Sequence, residues 1–135
     1  MYTKANSVDN LIAKSNFPEV MTKARELVLA HTTLPEHYFD NGRTFSAISY
    51  GKLGDLGRSN NDYTDAGLIN LAPQKNYVGL YIWAEGGNGA LIAKYAEQFP
   101  KSAYNKGCIY LKNLAFIEKY AEPLGQLIAE VKAPQ

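Results

Sequence analysis

A chain of 135 residues and 14.9 kDa is one domain's length, long enough to bury a core without staples. Its 46% hydrophobic and 20% charged residues exclude wholesale disorder. Fourteen basic against thirteen acidic residues leave a net charge of +1 and no global field for nucleic acid or an anionic membrane, and a single cysteine excludes a disulfide framework or a cysteine-built zinc site.

No apolar run approaches the roughly 20 residues of a bilayer span. The opening Met1-Tyr2-Thr3-Lys4 leads into polar sequence rather than a signal-peptide core, so the expected placement is cytoplasmic, with no membrane or nucleic-acid partner. Ten tyrosines beside five phenylalanines and one tryptophan point to aromatic surface with wet edges.

In chain order, Ser7 is placed to cap a short helix carrying Val8, Leu11 and Ile12 on one face. Asn16-Phe17-Pro18-Glu19 opens a second helix, with Pro18 at a tolerated first-turn position and Glu19 beside the positive dipole end. Val20, Ala24, Leu27, Val28 and His31 keep helical spacing to about Ala30, and Thr32-Thr33-Leu34-Pro35 stops the helix. Glu36 to Gly42 reads as a connector, and Thr44 to Tyr50 as a strand of mixed polarity ending at Gly51. Lys52 to Asp65 is rich in Gly, Asn, Asp and Ser without periodicity, which predicts a long mobile loop: a candidate lid or a tolerated insertion.

Gly67 to Ala72 reads as a short strand, joined through Pro73-Gln74-Lys75-Asn76 to the stretch Lys75–Trp83 as a hairpin. In that stretch Val78, Leu80 and Ile82 point one way from a strand, and Tyr77, Gly79, Tyr81 and Trp83 point the other. Glu85-Gly86-Gly87-Asn88 turns into a helix capped by Asn88, with Leu91, Ile92, Tyr95, Ala96 and Phe99 as its buried stripe and Pro100 at its end. Lys106 to Leu111 repeats the strand parity, with Ile109 and Leu111 opposite Lys106, Cys108 and Tyr110. Asn113 is a cap for a further helix, which Pro123 and Gly125 are expected to break before Leu124, Leu127, Ile128 and Val131 form a last helical face. The expectation is one α+β domain spanning 1–135, a largely antiparallel sheet of about four strands with helices on one face.

The run Leu71-Ala72-Pro73-Gln74-Lys75-Asn76-Tyr77-Val78-Gly79-Leu80-Tyr81-Ile82, then Lys106-Gly107-Cys108-Ile109-Tyr110-Leu111 and Leu124-x-x-Leu127-Ile128, resembles the YdhG-like family. This is a bacterial family of small domains mostly without assigned function. The likeness runs from about Phe45 to the C-terminus and includes the pair Tyr50-Gly51; Lys52-Leu53-Gly54 follows where the family often has a proline. The resemblance implies an α+β fold with an antiparallel sheet. Some relatives are described as frataxin-like iron chaperones, a role that needs acidic surface.

A catalytic reading finds little support. His31 continues an apolar helical stripe and reads as structural, and Cys108 reads as a small packing group. Gly86-Gly87-Asn88-Gly89 lacks the lysine and spacing of a phosphate loop. Glu36, His37 and Asp40 are the candidate metal ligands, of a kind that exposed loops also gather by chance. The stronger lead is aromatic: Tyr50, Tyr77, Tyr81, Trp83, Lys106 and Tyr110 form the candidate binding set, for a planar ligand or a second subunit. If loop 52–65 or the connector 36–42 covers that face, it is a second, smaller core. The alternative function is an iron carrier using Asp9, Glu19, Glu26, Glu36 and Asp40, iron being a cofactor on that reading alone.

Overall fold

The computed structural model describes residues 2–56, 62–84 and 89–133. The predicted caps form: Ser7 Oγ accepts from Asn10 N–H ahead of α1 (Val8–Lys14), and Asn113 Oδ1 accepts from Phe116 N–H ahead of α4 (Leu114–Lys119). Helix α2 (Pro18–His31) begins on its proline, where the missing N–H costs nothing, and stops where Thr32 turns extended. The cap placed at Asn88 lies outside the described residues; α3 (Ala90–Tyr95) follows Gly89.

The sheet has five strands, not four: β1 (Glu36–Asp40), β2 (Ser46–Tyr50), β3 (Ile69–Pro73), β4 (Val78–Ile82) and β5 (Cys108–Leu111). They lie in chain order, every neighbouring pair antiparallel. The additional strand is the segment 36–42, expected to be a connector. Glu-His-Tyr-Phe-Asp shows no alternation of aliphatic and polar residues, because an edge strand is held by its ladder and need bury only one residue well, here Phe39. The expected helix break is also corrected. Helix α5 (Ala121–Ala129) runs through both Pro123 and Gly125, and the break with α4 falls at Tyr120. Pro123 sits in the first turn of α5, where its missing donor has no helical partner to lose, and Gly125 is buried where a Cβ would come within 2.5 Å of the His31 ring.

Cross-strand register puts Ile48, Leu71, Leu80 and Ile109 in one row and Tyr50, Ile69 and Ile82 in the next. Val78, Leu80, Ile82, Ile109 and Leu111 are all buried in one cluster with Leu11, Met21, Val28, Leu124, Leu127 and Ile128 from the helices. Parity therefore assigns the aliphatic face to the helical layer.

The loop expected over 52–65 is pinned at its base. Leu53 N–H donates to Ala66 O at 2.7 Å and Gly54 N–H to Thr64 O at 2.9 Å, and a 3₁₀ turn covers Leu53–Leu56; residues 57–61 lie outside the described residues. The chain then re-enters the sheet at Gly67, where a Cβ would meet Tyr50 N at 2.4 Å. Asn70, fully buried on β3, holds this corner. Its Oδ1 accepts from Ser49 Oγ at 2.6 Å and Gly67 N–H at 2.8 Å, and its Nδ2 donates to Gly67 O at 2.8 Å.

Two stability measurements test this account. Leu80→Ala should cost about 2–5 kcal/mol in denaturant unfolding; a loss below about 1 kcal/mol would mean the faces are misassigned. Asn70→Ala should cost about 2–4 kcal/mol, because it strands the buried N–H and C=O of Gly67.

Candidate functional site: the aromatic face of the sheet

The face away from the helices carries Phe39 from β1, Phe45, Ala47 and Ser49 from β2 and its approach, Asn70 and Ala72 from β3, Gly79 and Tyr81 from β4, and Cys108 and Tyr110 from β5. Phe39, Phe45, Ala47, Ala66 and Ala72 form a second buried cluster, against which Tyr63, Tyr81 and Trp83 pack. It contains no helical residue. The small Ala47, Ser49 and Ala72 leave room above the strands, and large rings fill it. Phe45 lies 5.3 Å from Trp83 and 5.4 Å from Tyr81, and Tyr63 sits edge-on to Trp83 at 5.6 Å, ring centre to ring centre.

Toward β5 the face changes character. Tyr77 and Tyr110 pair at 4.7 Å, both half-buried, and belong to neither buried cluster. Gly79 lies beneath the ring of Tyr81, which would be 2.4 Å from a Cβ at that position, so Tyr81 lies along its own strand and links the two ring groups. The phenol tips are wet or amide-bonded: Asn105 Nδ2 donates to Tyr110 Oη at 2.8 Å, and Gln74 Nε2 to Tyr81 Oη at 3.3 Å. Burial beneath these rings pushes the Cys108 thiol up to about 12, which keeps it protonated and inert.

Tyr77, Tyr81, Trp83 and Tyr110 thus share a face as parity predicts. Exposed Lys106 follows on the strand's approach. Tyr50 does not join them: it is fully buried on the helical side, where its hydroxyl donates to Glu36 Oε2 at 2.8 Å. The covered and open alternatives each hold for part of the face. Tyr63 from the 52–65 segment and Ala66 just after it close the end over β1–β3, while the Tyr77–Tyr110 end keeps partly exposed rings. Sequence reasoning overlooked Phe39, Phe45 and Tyr63. Phe45 had a signal, since it shares parity with Ala47 and Ser49; Tyr63 lies in an aperiodic segment and had none.

The Glu36, His37 and Asp40 set is split by the strand it turns out to occupy. Alternation sends Glu36 and Asp40 to the helical side and His37 to the other. Each has its own partner. Arg25 grips Glu36 with two bonds (Nε–Oε2 3.0 Å, Nη2–Oε1 2.7 Å) and also reaches Asp9 at 3.3 Å. Asp40 accepts from Tyr2 Oη at 2.7 Å, Tyr38 Oη at 2.9 Å and Gly42 N–H. His37 Nε2 lies 2.6 Å from the Asp65 carbonyl. Among the described residues no three His, Cys, Asp or Glu side chains gather to hold a metal. Of the remaining iron-carrier candidates, Glu19 and Glu26 stand exposed along α2, lining the groove with Leu114.

The Arg25 bonds hold Glu36 below the usual carboxylate range; burial works against them and the Tyr50 hydroxyl with them. A lowered pKa means stability that is full above the ordinary carboxylate range and lost as pH falls through the folded value. Tyr50→Phe removes one bond to the charged form. It should cost about 1–2 kcal/mol at pH 7, with the gap to wild type narrowing toward pH 3 in parallel urea melts.

No family model, curated protein or solved structure matches this chain.

Proposed function

We propose that this protein is a small cytoplasmic binding or interaction module of the YdhG-like kind, whose aromatic sheet face engages a small ligand or a second subunit. One observation carries the reading: the Tyr77, Tyr81 and Tyr110 rings stand half-buried on a sheet face against which no helix packs in the described residues. Rings held by neighbours but open at one edge offer apolar contact at little entropic cost, and their hydroxyls and the Asn105 and Gln74 amides orient polar groups. The α+β class with an antiparallel sheet is also what the family resemblance implies. The iron-carrier reading has no comparable observation in its favour, since Asp9, Glu36 and Asp40 are already engaged within the fold.

Trp83 is the chain's single tryptophan and packs directly on Tyr81, so its fluorescence reports on this face. An anilinonaphthalene sulfonate dye should quench Trp83 emission in the folded protein. Tyr110→Ala should weaken that binding by more than about 1 kcal/mol while leaving the melting transition nearly unchanged. Dye binding unaffected by Tyr110→Ala and by Tyr77→Ala would remove the face as a binding surface.

A further inference from the structure

The net charge of +1 averages over an uneven distribution. In residues 66–84 and 98–113, which build β3, β4, β5 and their turns, the charged side chains are Lys75, Lys101, Lys106 and Lys112, with no carboxylate among them. Among the described residues none of these four ammonium groups has an ion pair or a hydrogen bond, and none lies over an aromatic ring. The covered end of the aromatic face is different: there Arg43 is paired with Asp62.

Strand register sorts the four by distance from the exposed rings. Val78 pairs with Leu111, so Tyr77 and Lys112 come next, opposite one another. Alternation puts Lys112 on the same face as Tyr110, two residues before it. The Cβ atoms of residues opposed in this way lie about 5 Å apart. Lys75 is at the same end of the sheet, in the β3–β4 turn that Gln74 N–H closes onto Tyr77 O at 2.9 Å. Lys106, in the candidate set on sequence, is at the other end. A bridge between Tyr104 and Ile109 and a bond from Asn105 N–H to Cys108 O at 2.9 Å hold it in a turn beside Trp83.

We infer that the Tyr77–Tyr110 ring pair, with Lys112 and Lys75, forms a site for an aromatic carboxylate, a flat ring that carries its charge on the ring itself. This rests on the binding reading of the same face. The half-buried rings, 4.7 Å apart and inclined at 54°, supply apolar contact for one flat group. The exposed Lys112 ammonium stands next to that contact, so the anion belongs close to the ring and not at the end of a long arm. Lysine offers a point charge with three donors, which carboxylate oxygens satisfy. With no carboxylate on these strands, nothing in them competes for the lysines or repels the guest.

The test is an amide-shift titration of the full chain with 2-naphthoate and with 2-naphthamide, its neutral counterpart of the same shape. Both should move the Tyr77 and Tyr110 resonances, with naphthoate bound about tenfold more tightly at low salt. Lys112→Gln should weaken naphthoate about three- to fivefold, the yield of a solvent-exposed ion pair, and leave naphthamide unchanged. Lys106→Gln should alter neither. All three lysines are exposed and unpaired, so the variants should fold as wild type does. Equal affinity for the two probes overturns the inference while the face still binds, and so does a loss that follows Lys106 instead of Lys112. If neither probe binds, the binding reading falls with it. Binding of a ten-residue oligothymidylate without binding of naphthoate also overturns the inference, and makes the face a platform for single-stranded nucleic acid.

Discussion

The corner built by Asn70 is the interaction on which the sheet's arrangement rests. Every other strand connection inside the meander is either a short turn or a helix-bearing link, but β2 and β3 are separated by a long aperiodic stretch that meets the cores through Leu53, Leu56, Tyr63, Ala66 and Leu68. Such a connection leaves the register of the strands it joins weakly determined. A buried side-chain amide that satisfies both the N–H and C=O of Gly67 and accepts from Ser49 on the neighbouring strand removes that freedom. A slip by one residue would break the Ser49 bond and turn Ile69 and Leu71 from the helical core to the aromatic side. The same corner requires glycine at 67, because the Tyr50 backbone occupies the space of a side chain. Specificity of register here comes from polar satisfaction in a dry place, and the aliphatic rows then add stability to a pairing already chosen.

The two faces are held by different physics. On the helical side, branched aliphatics from four strands interdigitate with α2 and α5, and the carboxylate that reaches in from the edge is paired: Glu36 meets Arg25 and Tyr50. On the other side the strands carry small residues, and aromatic rings fold down over them, from Phe45 and Tyr63 at one end to Tyr77 and Tyr110 at the other. Rings can close a surface in a single layer, which is how this chain covers a sheet face without helices. That economy leaves edges of phenol and indole in contact with solvent.

Parity made the sheet legible. Val78, Leu80, Ile82, Ile109 and Leu111 declare their side by period-two alternation alone, and the helices declare theirs through Leu11, Val20, Ala24 and Val28 at helical spacing. Strand β1 was illegible because an edge strand with one buried residue carries no hydrophobic rhythm. Helix α5 was misread because Pro123 and Gly125 are breakers only in a helix interior, and one lies in the first turn while the other is needed for packing. At the site, ring orientation followed from parity, whereas the cover supplied by Tyr63 depends on how an aperiodic segment folds back. The same alternation applied to β2 puts Tyr50 with Ile48, not with Phe45.

The bridge between Tyr104 and Ile109 has a consequence for how far this sheet can grow. Propagation into a filament needs a free edge at each end, so that each added molecule presents a new acceptor for the next. In the described residues one end is partly covered by the chain's own return segment, where Asn105 N–H takes the Cys108 carbonyl, and the other is uncovered. Head-to-tail stacking would have to displace that segment at every step. In a tyrosine-rich protein of nearly neutral net charge, a few residues laid against the last strand thus work against fibrous assembly.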